Sequence, residues 1–164
     1  SSSAETLLDL RGKRFASADI LSNSGWLFPV SWLRSRGEDP DQFFSEHVIA
    51  GSHDRSVRAV ASGYVDGAAV DSLVYDQMAD EEPSIRMGVK IILKSPPFGM
   101  PPVVVHPDID PAFRAKLLEV LLKMHEDPHG KEALAPLRIE RFVVPDDGLY
   151  DSVRQAAVLL EPAR

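Results

Sequence analysis

The stretch Ser22-Asn23-Ser24-Gly25-Trp26 stands between a predicted short strand, residues 14–18, and a predicted amphipathic helix, residues 25–36. Its first four residues, called the 22–25 turn below, therefore lie where a helix begins. The first N–H groups of a helix have no partner within the helix, and the helix dipole adds partial positive charge there. The turn is either a helix cap, the usual role of serine and asparagine, or a seat for a small anion.

A surplus of small polar residues favours the anion seat, because one capping residue is enough for a helix. The backbone N–H groups of Ser24 and Gly25 are expected to reach the anion directly, since glycine permits close approach of a ligand. The hydroxyl groups of Ser22 and Ser24 and the amide of Asn23 add directional donors.

The same arrangement recurs twice along the chain. Predicted strands at residues 48–50 and 68–70 end close to His53 and Asp71, and a predicted helix follows each of them. Repeated strand–helix units indicate a mostly parallel α/β sheet, and such sheets bind ligands beyond the carboxyl ends of their strands. The candidate ligand-binding residues at this edge are Ser22, Asn23, Ser24, Gly25, His53 and Asp71.

The rest of the chain has fewer polar residues of this kind. Apolar runs predict strands at residues 89–93 and 103–105, and a proline-rich connector joins the two. The acidic stretch 80–83, Asp-Glu-Glu-Pro, predicts a solvated loop. A helix is expected from Asp110 to about His125, because aspartate followed by proline is a helix start. Its predicted buried face consists of Phe113, Leu117, Val120, Leu121 and Met124.

Composition excludes several classes of function. The chain has 164 residues, 44% of them hydrophobic, which is enough for one domain with its own core. A formal net charge of −7 makes nucleic acid an unsuitable partner. The absence of cysteine excludes disulfides, thiolate metal sites and a cysteine nucleophile.

An enzyme and a metal site are both disfavoured. His53-Asp54 with a serine would suit a hydrolase, but the sequence has no Gly-x-Ser-x-Gly nucleophile elbow. His125 and His129 would suit a metal, but a proline between them interrupts the helical spacing. We therefore expect no catalytic activity, no metal and no cofactor, and we assign the histidines other than His53 to structural roles.

Five short stretches stand in a characteristic order and spacing, namely residues 12–16, 22–25, 51–54, 65–72 and 94–97. With this ordered set, the sequence resembles the PhnD-like substrate-binding proteins of phosphate, phosphite and phosphonate ABC transporters. The resemblance covers nearly the whole chain. No single stretch is specific, but the set is.

The resemblance implies a type II periplasmic-binding-protein fold, an α/β fold in which the ligand binds between two lobes. It implies one complete lobe, with a mostly parallel sheet flanked by helices, and the returning part of the other lobe. By this division residues 1–12 are an N-terminal segment, residues 13–97 are the anion-binding lobe 2, and residues 98–164 return to lobe 1.

The resemblance also implies roles for the candidate site residues. In the family a Ser-Thr-Ser turn at a helix start binds the phosphonate oxygens, and it corresponds to Ser22, Asn23 and Ser24. The family's cleft histidine corresponds to His53. Asn23 replaces a threonine and keeps a hydrogen-bond donor. Asp71 is expected to accept a proton carried by the ligand or to orient a donor.

The function implied is that of a non-enzymatic substrate-binding component of an ABC transporter. Such a protein delivers phosphonate, phosphite or phosphate to the permease. The location implied is periplasmic or otherwise extracytoplasmic, and it is compatible with a lipoprotein anchor in a full-length protein. The alternative is a ligand-sensing periplasmic domain of a signalling protein with the same fold. The full-length chain or its gene context distinguishes the two.

The family's members are considerably longer, and their first half builds most of lobe 1. Strand 103–105 is therefore expected to lack part of its cover. An uncovered apolar strand invites pairing. We expect a fragment, a self-associating chain, or a chain whose missing N-terminal lobe another polypeptide supplies.

Overall fold

The computed structural model describes residues 3–158, so the outer ends of the predicted segments 1–12 and 98–164 lie outside the described part. Its contacts divide the chain into two compact units. The first unit comprises the described residues up to Pro97 together with those from Ser152 onward, and the second comprises Phe98–Asp151. The assignment of chain segments to two lobes stays a prediction.

A three-stranded parallel sheet forms the centre of the first unit. Its strands, in the order β2-β1-β3, are β1 (Arg14–Ser17), β2 (Glu46–Ile49) and β3 (Gly67–Ala69). The middle strand is β1, where Ala16 pairs with Val48 on one side and with Ala68 on the other. The carboxyl ends of all three strands therefore lie at one edge, and the predicted parallel α/β sheet is confirmed.

A helical segment follows each strand, as the sequence pattern predicts. After β1 a π-helical turn, Asn23–Leu27, continues directly into α1 (Phe28–Arg34). Helix α3 (His53–Ala61) follows β2, and α4 (Ser72–Glu81) follows β3. Each polar loop at the carboxyl edge of the sheet is therefore attached to the start of a helix.

Shorter helices complete the first unit. A 3-10 turn, Leu7–Leu10, precedes β1, and α2 (Pro40–Phe43) lies between α1 and β2. Helix α5 (Pro83–Gly88) follows α4. Both α2 and α5 begin at a proline, which suits the first helical position because the N–H group there has no partner within the helix.

Two apolar clusters stabilise the first unit. In one cluster Phe15 of the central strand stacks on Phe44, with ring centroids 4.2 Å apart. In the other, Val57, Met78 and Ile85 join α3, α4 and α5. Gly67 lets β3 approach the first cluster closely, because a Cβ atom at this position would lie 2.4 Å from Leu10 Cδ1.

The second unit consists of helices and irregular chain. Its helices are α6 (Pro111–Lys123) and α7 (Pro128–Leu134), with 3-10 turns at Met124–Glu126, Ala135–Leu137 and Asp147–Tyr150, and α8 (Asp151–Val158) follows. None of the helices within residues 3–158 has the length and apolar character needed to cross a bilayer.

The predicted buried face of the 110–125 helix is wrong. No residue of α6 is buried, and Phe113 and Val120 are 59% and 56% exposed. Among the described residues of the second unit only Gly130 and Leu134 are buried. The apolar pattern is real, but this unit contains too little other chain to cover it.

The predicted strands at residues 89–93 and 103–105 are also wrong, since the described structure has neither. In the first segment Val89 and Ile92 still pack against the two apolar clusters, so the apolar pattern produces burial without strand pairing. In the second segment the described residues of the unit offer no strand to pair with, and Val104 is 79% exposed.

The acidic stretch 80–83 is mostly helical and not a loop, with only Glu82 outside a helix. It contains the end of α4 and the start of α5, with Pro83 at the first position of α5. Glu82, between the two helices, accepts a hydrogen bond from Arg58 Nη1 at 2.9 Å. The proline starts a new helix immediately after Glu82, and the ion pair with Arg58 holds Glu82 between the two helices.

Candidate ligand-binding site

The 22–25 turn closes on itself through Ser22. Its hydroxyl oxygen accepts a hydrogen bond from the N–H group of Gly25 at 3.0 Å, which makes Ser22 a helix cap. The carbonyl oxygen of Ser22 accepts from the N–H groups of Trp26 and Leu27 at 2.9 and 3.0 Å. Two acceptors of one residue thus fix the first turn of the helical segment.

This arrangement changes which N–H groups of the turn are available. The Gly25 N–H group donates to Ser22 Oγ in the cap, so the predicted contact of Gly25 with an anion competes with this bond and stays a prediction. In the described part of the chain, the N–H groups of Asn23 and Ser24 have no hydrogen-bond acceptor. These two adjacent donors are the ones left for a ligand.

His53 links the turn to the end of the third strand. Its Nδ1 atom accepts a hydrogen bond from the backbone N–H group of Asp71 at 3.1 Å. A neutral imidazole that accepts at Nδ1 carries its proton on Nε2. The Nε2 atom lies 3.5 Å from Ser22 Oγ, so its N–H bond is directed toward the turn. The structure therefore brings Ser22, His53 and Asp71 together.

The hydroxyl proton of Ser22 remains available in this arrangement. Ser22 Oγ accepts from the Gly25 N–H group and faces the Nε2–H group of His53. A hydroxyl group has one proton and two lone pairs. With both lone pairs directed at N–H donors, the O–H group is free to donate to a ligand.

Asp71 has a structural role at the start of α4. Its Oδ1 atom accepts from the N–H group of Leu73 at 2.8 Å, which caps the helix. The contact with His53 is made by its backbone and not by its carboxylate. The carboxylate charge nevertheless acts on His53, since it favours the protonated imidazole.

Asn23 contributes an unsatisfied acceptor. Its Oδ1 atom is buried and has no hydrogen-bond partner within the described residues. A buried acceptor without a donor costs about 1–3 kcal/mol.

His47 is a residue that the sequence interpretation assigned to structure alone. Its Nε2 atom lies 2.7 Å from the hydroxyl of Ser17, and its ring stacks on the indole of Trp26 with centroids 3.9 Å apart. Trp26 directly follows the 22–25 turn. The sequence shows only an isolated histidine directly before the predicted strand 48–50, and only the register of β2 against β1 places it next to Ser17.

Burial affects both histidines in the same direction. Partial burial lowers the pKa of His47 below the ordinary value. Partial burial also lowers the pKa of His53, and the charges of Asp71 and Asp54 oppose this shift without cancelling it. Both shifts favour the neutral imidazole at pH 7.

Polar loops at the carboxyl edge of a parallel sheet are the place where open α/β proteins bind small ligands. A family model for periplasmic substrate-binding proteins of phosphonate ABC transporters matches residues 1–150. The chain therefore belongs to this family, which is one of transporter binding proteins and not of enzymes.

Solved structures show the same fold. A binding-protein component of an ABC phosphonate transporter from Pseudomonas aeruginosa superposes with a TM-score of 0.85 at 25% identity over 96% of this chain and 53% of its own. PhnD1 from Prochlorococcus marinus, solved with methylphosphonate, gives 0.80 at 23% identity over 98% of this chain and 61% of its own. A Xanthomonas citri protein bound to ATP gives 0.72 at 24% identity over 98% and 65%.

These likenesses confirm the type II periplasmic-binding-protein fold for the part of it that this chain contains. The chain spans 53% and 61% of the length of the first two proteins.

The histidine pKa shifts predict how stability depends on pH. A group whose folded pKa is lowered stabilises the fold fully above its unfolded pKa, about 6.5 for histidine, and loses this effect as the pH falls. We expect the free energy of unfolding to decrease as the pH falls from 7.5 to 5.5. Urea denaturation at several pH values measures it.

The matched variants are His47→Gln and His53→Gln. Each is expected to flatten the pH dependence in this range, because glutamine does not titrate. Replacement of His106, which is exposed, by glutamine is the control. A pH dependence that is the same in all four proteins would contradict the assignment.

Proposed function

We propose that this chain is the ligand-binding part of an ABC-transporter substrate-binding protein, and that a phosphorus oxyanion binds at the 22–25 turn. The observation that carries the proposal is the position of His53. Its Nδ1 atom is occupied by the Asp71 N–H group, so its Nε2–H group faces the turn beside Ser22. The family match to phosphonate-binding proteins supports the ligand class.

The donors of this site suit an oxyanion. The N–H groups of Asn23 and Ser24 and the hydroxyl groups of Ser22 and Ser24 belong to the 22–25 turn, and the Nε2–H group of His53 faces Ser22 of that turn. Each hydrogen bond to a charged ligand contributes about 1.5–3 kcal/mol when shielded from water. The start of the helical segment adds about 0.3–1 kcal/mol through its dipole.

We propose further that the ligand is a protonated oxyanion, such as a phosphonate or phosphite monoanion. The Oδ1 atom of Asn23 is buried without a donor, and once the side chain turns toward the ligand a P–OH group supplies one. The carboxylate of Asp71 disfavours a second negative charge nearby, because like charges repel. Phosphate in its monoanionic form has the same features and is the third candidate.

The family match also supports an extracytoplasmic location and a permease as the partner that receives the ligand.

A net charge of −7 opposes anion binding over long distances. The donors of the turn therefore act locally and against the overall field, which salt screens. Affinity is for this reason expected to change little, or to rise, with ionic strength.

Ligand-dependent thermal unfolding at pH 7 tests the function. Millimolar methylphosphonate, phosphite, phosphate and sulfate are added separately. A ligand at 100 times its dissociation constant adds about 2.7 kcal/mol to the free energy of unfolding, which raises the unfolding midpoint measurably. We expect a shift with at least one phosphorus oxyanion and none with sulfate, which carries no proton at this pH.

The matched pair of variants is Ser24→Ala and Ser84→Ala. Both serines lie in the first turn of a helical segment, but Ser84 belongs to α5. Ser24→Ala is expected to reduce the ligand-induced shift, while Ser84→Ala keeps it. A shift that is equal for sulfate and the phosphorus oxyanions, or that Ser24→Ala leaves unchanged, would contradict the proposed site.

We also propose that the apolar surface of the second unit is an interaction surface. Val104, Val144 and Leu137 are 79%, 67% and 63% exposed, and Phe113 of α6 is 59% exposed. Large exposed apolar areas mark interfaces in soluble proteins. The chain is expected to cover this surface by self-association when no further polypeptide packs on it.

Sedimentation velocity over a range of protein concentrations tests this proposal. We expect the weight-average mass to rise with concentration, and Val104→Lys and Phe113→Lys to reduce the rise because lysine is costly to bury. Met87→Lys is the control, since Met87 is 82% exposed in the first unit. A mass equal to the monomer at every concentration would argue against self-association.

A further inference from the structure

We propose that His47 is a positioning residue for the 22–25 turn and acts on it through Trp26. The inference rests on the proposed function, since it concerns how the turn is held ready for an anion. It assigns a role in ligand binding to a residue that is not itself a ligand contact.

Two contacts hold the imidazole of His47 in place. His47 lies in β2 directly opposite Phe15 of the central strand, so its backbone is fixed by the sheet. Its Nε2 atom lies 2.7 Å from the hydroxyl of Ser17, a side chain with no exposed surface. The ring is therefore attached to the central strand as well as to its own.

The residue that follows the turn, Trp26, packs against this ring. The indole of Trp26 stacks on the imidazole with centroids 3.9 Å apart and an angle of 8° between the planes. The backbone N–H group of Trp26 donates to the carbonyl of Ser22 at 2.9 Å. One residue therefore joins the stacked ring to the start of the turn.

The turn has little room to move at Gly25. A Cβ atom at Gly25 would lie 3.0 Å from Ser22 Oγ and 3.4 Å from the backbone nitrogen of Ala18. The turn is thus close to the chain that leaves β1. With Trp26 held by His47, the N–H groups of Asn23 and Ser24 keep a fixed direction before any ligand arrives. Such preorganisation raises affinity because less ordering is needed on binding.

The stack contains a neutral imidazole at pH 7. Burial is the cause of the lowered pKa of His47, and no charged side chain contributes to the shift. The groups that face the ring, Ser17 of β1 and Trp26 directly after the 22–25 turn, do not titrate near neutral pH. A change of the stack with pH can therefore be assigned to protonation of His47, because neither group in contact with the ring titrates in this range.

Isothermal titration calorimetry with methylphosphonate at pH 7 tests the role. His47→Ala removes the ring and is expected to weaken binding at least tenfold. The double variant Ser17→Ala/His47→Phe restores a flat ring and removes both hydrogen-bonding partners together, a replacement that is close to neutral for stability. It is expected to bind within threefold of the unaltered chain.

The control is a variant of Ile85 that loses as much stability as His47→Ala. Ile85 lies in the apolar cluster of α3, α4 and α5, and it is replaced by valine or alanine, whichever lowers the unfolding midpoint by the same amount as His47→Ala. A positioning role predicts that this control keeps its affinity. Equal weakening in the control and in His47→Ala would reduce the role of His47 to general stability and overturn the inference.

Trp26 fluorescence gives a second readout. The chain has two tryptophans, and Trp32→Phe leaves Trp26 as the only one. Because an imidazolium in stacking contact quenches indole emission, the emission is expected to fall as the pH drops below about 6.5, the ordinary histidine pKa. The titration is expected to vanish in the Ser17→Ala/His47→Phe background, and a titration that persists there would contradict the stack.

The results separate this inference from the proposed function. If the unaltered chain binds methylphosphonate and His47→Ala binds it equally well, the inference is overturned and the function stands. If the unaltered chain binds neither methylphosphonate, phosphite nor phosphate, both are overturned. Tenfold weakening by His47→Ala, together with rescue by the double variant, supports the inference.

Discussion

The hydrogen bond from the Asp71 backbone N–H group to Nδ1 of His53 is the contact on which the candidate site depends. It joins the end of β3 to the start of α3, and it determines which imidazole nitrogen carries the proton. Through Nε2 the same ring reaches Ser22, which follows the central strand. One side chain thus connects the loops after all three strands. The parallel sheet makes this possible because it brings the three carboxyl ends to one edge.

The site is built mainly from backbone groups and neutral side chains. The N–H groups of Asn23 and Ser24 need only a helix start to be available, and the Ser22 cap uses the next N–H group along. Burial keeps both His47 and His53 neutral, so the donors facing the turn are dipoles and not charges. An acidic protein can hold an anion in this way, since closely placed dipoles act over short distances that the overall charge does not control.

Much of this arrangement could be predicted from the sequence, and the reasons are local. Short apolar runs followed by small polar residues and an amphipathic helix indicate strand–turn–helix units. This pattern is enough to predict the parallel sheet and the position of Ser22, His53 and Asp71 at one edge of it. The use of the Gly25 N–H group in the cap depends on side-chain geometry. The contact of His47 with Ser17 depends on strand register. Neither is encoded in spacing alone.

The errors in the second unit have one physical origin. An apolar pattern predicts which side chains avoid water, but it does not show that enough chain is present to cover them. Val104 is exposed and residues 103–105 form no strand in the described structure, because the unit offers no partner for them. By contrast, residues 89–93 lie beside formed clusters, and Val89 and Ile92 pack there without joining the sheet.

The most direct test of the central claim is two-bond ¹H–¹⁵N correlation NMR of the imidazole of His53, assigned with His53→Gln, at pH 7. We expect a neutral ring protonated on Nε2, and a ring protonated on Nδ1 or already charged at this pH would contradict the assignment.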